Sequence, residues 1–155
     1  MLEFTLTALP LLFIVISLWW MCMGMWQYHT LAEAVNSTVR TASVHGAGCA
    51  GQTCATTVAE VAESLASKTV GIPASQLNVT FTSAASTVPC DPLTSCYTNS
   101  TAWPSQSGNT ALTTSISIAA TYEFSSAISL WVPGSGVHSF NAVTLGANAT
   151  QPVIF

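Results

Sequence analysis

The chain has 155 residues, which is enough for one modest globular domain with an attached segment but too few for two domains with large cores. Half of the residues are hydrophobic and 5% are charged, against about a quarter charged in an ordinary soluble domain. With a formal net charge of -4 and only Arg40 and Lys68 as firm cations, the chain cannot make the series of phosphate contacts that drives nucleic-acid binding. Nucleic acid is therefore excluded as a partner.

The N-terminal region is a long apolar run, with no charged residue between Phe4 and Trp26. As a helix it would be about 34 Å long, enough to cross a hydrocarbon core of about 30 Å. A cleaved secretory signal is the alternative, but the run is longer than an h-region and continues into the bulky sequence MCMGMWQYH rather than a small-residue cleavage site. We therefore predict a membrane-spanning helix that stays in the mature protein.

The helical pattern continues beyond the apolar run. Aromatic residues at its outer end mark the membrane interface, and they are Trp19, Trp20, Trp26 and Tyr28. Apolar residues then recur at helical spacing from Leu31 to Ala42, until the sequence HGAG at 45–48 ends the pattern. One helix of about forty residues is predicted, half in lipid and half outside.

Two positions near the start of this helix are unusual. Pro10 removes a backbone donor and crowds the preceding turn, so a kink or a locally unwound turn is expected near Thr5 to Leu11. Glu3 stands at the mouth of the apolar run, where an ionised carboxylate is costly to carry into lipid without a partner. Glu3 is either a plain interfacial acid or the partner of a cation on another subunit, most simply a free N-terminal amine, which would fix the register between packed helices.

The rest of the chain is polar and changes its period. Thr57 and Glu60 form a capping box that begins a short amphipathic helix at about 57–70. Residues 77–81 and 116–124 alternate between apolar and polar, and a third candidate strand runs from Phe140 to Ala149. We expect an α+β fold with a long N-terminal hydrophobic helix, a short helix and a small antiparallel sheet. The predicted division is a membrane or filament-core helix over 1–45 and an extracytoplasmic head over 46–155.

Four of the five cysteines lie in polar, turn-rich sequence: Cys49 with Cys54, and Cys90 with Cys96. Two short local disulfides are the favoured pairing, which requires an oxidising compartment. A four-thiolate zinc site is the competing interpretation, but CAGQTC and CDPLTSC lack the usual two-residue ligand spacing. Residues 83–112 are interpreted as a long loop clipped by the second disulfide, and we predict no metal and no cofactor.

The sequence LEFTLTALPLLFIVISLWWMCMGMWQYHTLAEAVNSTVRTASVHGAG resembles the N-terminal segment of the TadE-like pilins and pseudopilins, which are related to type IV pilins. The pattern is a glutamate followed by an aromatic residue, an apolar helix with an early proline, and a polar NTLxEAxxxxxRxA-like segment. The later sequence TYEF is similar to the C-terminal sheet of that family. The resemblance covers about the first 45 residues well and the remainder loosely.

The resemblance implies a structural role with defined partners. Glu3 would recruit or register the next identical subunit in a helical filament, after processing by a prepilin peptidase. The subunit would wait in the inner membrane until the pilus assembly machinery and its motor move it to the cell surface. The hypothesis is therefore a structural pilus subunit rather than an enzyme, working in adhesion or another fibre function.

Other chemistry is weakly represented. Four asparagines satisfy the glycosylation sequon, at Asn36, Asn78, Asn99 and Asn148, although chance yields several in a chain so rich in Ser and Thr. The histidines are scattered and no catalytic motif accompanies them, so an anchored hydrolase is the weakest alternative. Two stronger alternatives stay open: a minor pseudopilin that primes or tips a fibre, and a membrane-anchored binding module whose 83–112 loop captures a ligand.

Overall fold

The structure is a computed structural model that describes residues 2–44, 56–84, 86–104, 115–125, 129–132, 136–139 and 143–153. A long N-terminal helix is followed by a short helix and a four-stranded antiparallel sheet. The predicted α+β fold class is confirmed.

The first helix, α1, runs from Leu2 to Val44. Its 43 residues give a rod about 64 Å long at about 1.5 Å per residue. The helix continues through Pro10, and the kink or unwound turn expected near Thr5 to Leu11 remains a prediction. Near the proline, the Thr7 hydroxyl donates to the Phe4 carbonyl at 3.2 Å.

The second helix, α2, spans Val58–Lys68, inside the predicted range. Its capping box is present as expected: the Glu60 amide donates to the Thr57 hydroxyl at 3.3 Å, and the Thr57 amide donates to the Glu60 carboxylate at 3.1 Å. These bonds satisfy donors that the first turn of a helix leaves without partners. The apolar stripe faces inward, with Val58, Val61, Ala62 and Leu65 buried.

The strands are β1 (Leu77–Thr82), β2 (Thr87–Cys90), β3 (Ser115–Phe124), β4 (Ser129–Val132), β5 (Gly136–Ser139) and β6 (Val143–Pro152). The main sheet has the order β2-β1-β3-β6, and its neighbours are antiparallel. The β4 and β5 strands, which lie between β3 and β6 in the sequence, pair with each other as a separate antiparallel two-stranded sheet. The small antiparallel sheet of the prediction is therefore confirmed.

Two strand predictions need correction. The segment 83–112 is not all loop, because β2 pairs with β1 and a 3-10 turn follows at Leu93–Cys96. The strand TVPC has only four residues, with the burial pattern exposed, half-buried, exposed, buried, and its proline argues against a strand in the sequence alone. The third predicted strand is shifted: β6 begins at Val143 and continues to Pro152, while residues 140–142 lie outside the described part of the chain.

One hydrophobic core unites the outer part of α1, α2 and one face of the sheet. Leu31, Val35 and Val39 of α1 are fully buried and share this core with Phe81 and Trp103. Burying each large aliphatic side chain contributes about 1.5–3 kcal/mol. The core therefore takes residues from both sides of the predicted boundary at residue 45, and that boundary remains a prediction about function.

A candidate membrane and assembly interface

The inner half of α1, residues 4–26, exposes apolar side chains on every side of the helix. The exposed large hydrophobic residues in this half are Phe4, Leu9, Leu11, Leu12, Phe13, Ile14, Val15, Ile16, Leu18, Trp19, Met21, Met23, Met25 and Trp26. Consecutive positions along a helix point in different directions, at about 100° per residue, so this surface has no polar face. Other described parts of the chain contact it only near its outer end, at Trp20, Gly24 and Trp26.

The length and composition of α1 allow it to cross a bilayer. The span Thr7–Val44 contains an 18-residue window with a mean hydropathy of 2.0, of which 6% is buried within the protein. The core helix of a soluble protein can be equally apolar, but it is mostly buried. The exposure of the inner half therefore requires lipid or other protein around it.

The outer half of α1, residues 27–44, has two distinct faces. Leu31, Ala34, Val35, Val39 and Ala42 recur at helical spacing and are buried against the head. The opposite face carries polar and charged side chains that are exposed, including Glu33, Asn36, Arg40 and Thr41. This half is an ordinary amphipathic helix whose partner is the sheet of the same chain.

The head contacts α1 at its lower end through the last residue of β3. Phe124 packs against Trp20 with the ring planes tilted by 56° and the ring centroids 6.1 Å apart. It also lies over Gly24, where an added Cβ would be 3.6 Å from the Phe124 ring. A small residue at position 24 thus lets the end of the sheet approach the helix closely. A glycine in an apolar helix often allows a neighbouring helix to approach, but at Gly24 the end of a strand of the same chain approaches instead.

A second contact between the head and α1 lies further along the helix, at Trp26 and Gln27. Gly71 has a φ of +84°, and a Cβ at this position would lie 2.8 Å from the Trp26 ring. The buried Gln27 side chain donates from Nε2 to the Gly71 carbonyl at 3.2 Å. The turn after α2 is therefore shaped to fit Trp26 and Gln27, and no residue other than glycine suits it.

A shallow groove of about 350 Å³ separates α1 from α2. Its lining includes Glu33, Ser37, Lys68 and Val70, and Lys68 Nζ donates to Ser37 Oγ at 3.0 Å. This bond ties the end of α2 to the middle of the outer half. The groove is open to solvent and lies on the polar side of the helix pair, so it is not an enclosed ligand site. The bond between Lys68 and Ser37 supports the packing of the two helices.

The predicted site residues occupy different parts of the molecule. Glu3 lies in the first turn of α1 and Pro10 lies within the exposed inner half. The role of Glu3 as a registration residue stays a prediction.

The cysteine predictions are tested at one pair. Cys90 and Cys96 form a disulfide with Cα atoms 5.7 Å apart, and both are buried beneath the sheet edge. Cys49 and Cys54 lie outside the described residues. Within the described part of the chain, no group of three or more His, Cys, Asp or Glu side chains could hold a metal ion.

The four sequon asparagines all lie at described positions. Asn36, Asn78 and Asn148 are exposed, on α1, β1 and β6 respectively. Asn99 is partly buried, and its Oδ1 accepts a hydrogen bond from the Thr101 amide at 3.0 Å. Asn36 lies within a helix and donates to the Ala32 carbonyl at 2.8 Å. Their glycosylation remains a prediction.

These features define a class of protein in which a single apolar N-terminal helix carries a small α+β head. The TadE-like protein family matches residues 1–40, which confirms the family resemblance over the segment that includes Glu3, Pro10 and the inner half of α1. The match covers 40 of the 155 residues, and over those residues the chain is similar to TadE-like proteins. No curated protein and no solved structure matches the chain.

Proposed function

We propose that this chain is a structural subunit of an extracellular pilus filament, held in the inner membrane before assembly and polymerised through α1. The exposed apolar surface around the inner half of α1 is the observation that carries the proposal. The family match over residues 1–40 supports it independently. Together they favour a chain whose inner half moves from lipid into a bundle of helices, rather than a chain that acts as a monomer in water.

The energetics of this exchange are balanced. In water the inner half would expose far more apolar surface than a monomeric protein usually does. Lipid chains and the side chains of neighbouring helices cover that surface equally well, so the hydrophobic effect neither strongly opposes nor drives extraction. Helix packing, the pairing of Glu3 and a motor in the assembly machinery would then give the process its direction.

Glu3 supplies the register in this proposal. Its carboxylate, in the first turn of α1, would pair with the free N-terminal amine of a neighbouring subunit after the prepilin peptidase has acted. A buried pair of opposite charges in an apolar bundle is favourable only in one axial position, because any other stagger leaves both charges unpaired. The pair would therefore set the stagger more than the strength of the bundle.

The head would form the surface of the filament. Its few charges leave hydroxyl and amide groups as the main source of hydration, and such a surface tolerates close packing against copies of itself. The Cys90–Cys96 disulfide is consistent with an extracytoplasmic head. Glycans at Asn36, Asn78, Asn99 or Asn148 would add hydration to this surface.

The test compares two acidic residues on the same helix. Glu3→Gln and Glu33→Gln each remove one carboxylate from α1, but Glu33 lies on the exposed polar face of the outer half. We expect Glu3→Gln cells to keep the subunit in the membrane and to make several-fold less filament. Glu33→Gln cells should make normal filaments. Imaging of sheared surface fibres, with quantitative immunoblots of the membrane fraction, measures both quantities.

Different results would overturn different parts of the proposal. Normal filaments from Glu3→Gln cells would exclude registration by this residue. A detergent-solubilised protein that stays monomeric, from cells without fibres, would favour an anchored binding module instead. Fibres that contain this chain as a trace component of another subunit's polymer would assign it the role of a minor pseudopilin.

A further inference from the structure

The exposed face of the outer half of α1 carries one acid and one base in line. Glu33 and Arg40 are both exposed, and they lie seven residues apart on the helix. Seven residues make almost two full turns, so the two side chains leave the helix within about 20° of each other. Along the axis they are about 10.5 Å apart, at about 1.5 Å per residue. The two charges therefore point the same way from different levels of one face.

Neither of these charges has an ionic partner in the described part of the chain. Lys68 lines the same groove as Glu33, but it donates its hydrogen bond to Ser37 Oγ at 3.0 Å. Arg40 and Lys68 are the only arginine and lysine of the sequence. Within the described residues, Arg40 is thus the one firm cation whose charged group makes no hydrogen bond or ion pair.

A second copy of the chain, with its helix parallel to the first, complements this face at one axial offset. In equal register each Arg40 lies opposite an Arg40 and each Glu33 opposite a Glu33, so like charges repel. When the neighbour is shifted by two turns, Arg40 of one copy comes level with Glu33 of the other. Packed helix axes lie about 8–10 Å apart, a gap that these two long side chains can span. The charge pattern therefore selects an offset of about 10.5 Å.

The same offset suits two other polar residues of this face. His29 and Asn36 are exposed and are also seven residues apart. A shift of two turns brings Asn36 of one copy level with His29 of the next. An amide can both donate and accept a hydrogen bond, and so can a neutral imidazole. Both pairs of positions therefore favour the same offset.

We propose that Arg40 of one subunit pairs with Glu33 of a parallel neighbour displaced by about two helical turns. This inference rests on the proposed polymer and names a contact within it. The contact is heterologous, because each subunit gives its Arg40 to one neighbour and its Glu33 to another, so it propagates along a filament. A helical array gives each rod neighbours at several offsets, so the pairs made by Glu3 and by Arg40 join different subunits.

Neutral and reversed charges at these positions have different consequences. Glutamine at position 33 keeps an oxygen that accepts a hydrogen bond from the guanidinium, and exposed ion pairs lose little when one charge is removed. Glu33→Gln therefore leaves the filament yield normal and still serves as the control for Glu3. A reversed charge is a larger perturbation, because it places two like charges opposite each other across the contact.

A charge swap in the full chain tests the pair. Arg40→Glu places a carboxylate opposite Glu33, Glu33→Arg places a guanidinium opposite Arg40, and the double variant restores opposite charges in exchanged positions. Glu63→Arg is the control, because it makes the same change in net charge as Glu33→Arg at an exposed position of α2. Sheared fibres are quantified, the membrane-bound subunit is measured by immunoblotting, and the urea midpoint of each head in mild detergent reports its folding.

We expect several-fold less fibre from each single reversal, and near-normal yields from the double variant and from Glu63→Arg. Urea midpoints should match the wild type, since these side chains are exposed. Normal yields from both single variants, or a folded double variant that does no better than they do, would overturn the pair and leave the polymer intact. A lowered urea midpoint in the single variants would show that the charges act within the subunit and also overturn the pair. Wild-type cells that hold the subunit in the membrane and make no fibres would overturn the polymer itself.

Discussion

The two halves of α1 are one continuous helix with opposite relations to the rest of the chain. The outer half buries one face against the sheet and α2 and exposes a polar face, so the chain itself satisfies it. The inner half has no polar face, and the described residues contact it only at its outer end, near Trp20 and Trp26. Because α1 is continuous from Leu2 to Val44, the head fixes the direction of the inner half although it leaves most of that half exposed.

This contrast assigns different consequences to substitutions of the same chemical kind. A change in the outer half should alter the stability of the head, whereas a change in the inner half should alter partition into lipid or the filament. The seam between the halves, where Trp20 and Trp26 contact Phe124 and Gly71, should respond in both ways.

The largest expected effect is a cavity in the outer half. Leu31 is fully buried, so Leu31→Ala should lower the free energy of unfolding of the head by about 2–5 kcal/mol. Leu12→Ala, the matched change in the exposed inner half, should leave this free energy unchanged. Urea titrations of the full chain in mild detergent, followed by near-UV circular dichroism, measure both. Equal losses for the two variants would refute the division into halves.

The second effect is a charge on the inner half. Leu12→Asp places a carboxylate near the middle of the predicted span, at a cost of about 2.5–3.5 kcal/mol for insertion. The membrane-bound fraction should fall while the head keeps its stability. Asn36→Asp, which adds the same charge to the exposed face of the outer half, is the control and should insert normally. Carbonate extraction of membranes followed by immunoblotting compares them, and normal insertion of Leu12→Asp would argue against a span centred there.

The third effect tests the seam by adding one methyl group at Gly71. Gly71→Ala should destabilise the head by about 1–2 kcal/mol for its left-handed backbone alone, and further because the new Cβ meets the Trp26 ring. Gly146→Ala is the control, since its added Cβ would meet only Thr121 at 4.0 Å. Repeating Gly71→Ala with Trp26→Leu should recover the steric part. If Trp26→Leu recovers none of the loss caused by Gly71→Ala, Trp26 does not pack there.

The smallest effect tests how α2 supports the outer half. Thr57→Ala removes the capping hydroxyl of α2 and should lower the stability of the head by about 1 kcal/mol. Thr41→Ala, an exposed threonine on α1 whose hydroxyl donates to the Ser37 carbonyl, should change stability by less. The same urea titration detects the difference. A larger loss for Thr41→Ala would place the weak point in α1 instead.

The sequence predicted those elements whose own pattern is strong. The apolar run and its heptad-like continuation predicted α1, and Thr57 with Glu60 predicted the start of α2, because capping and helical periodicity are local properties. The alternation in β1 and β3 likewise predicted two half-buried strands. These patterns specify structure without knowledge of what the elements touch.

The sequence did not predict the features that depend on distant partners. The β2 strand is only four residues long and contains a proline, so its own sequence does not indicate a strand. The seam joins Phe124 to Trp20 and Gly71 to Trp26 across long separations in the chain. A glycine in a turn and an aromatic residue at a strand end are common, so neither indicates a contact by itself. The apolar surface of the inner half of α1 was predictable from composition, whereas the contacts between the head and the outer end of that surface were not.

The short edge strand β2 affects how readily one head could pair with another through the edge of its sheet. Its Pro89 has no amide hydrogen to offer an incoming chain, and the strand ends at Cys90, which the disulfide holds against the 3-10 turn. If the chain assembles as proposed, heads with few charges would come close together, and exposed sheet edges with few charges tend to pair. The proline makes the β2 edge a poor template for such cross-strand pairing.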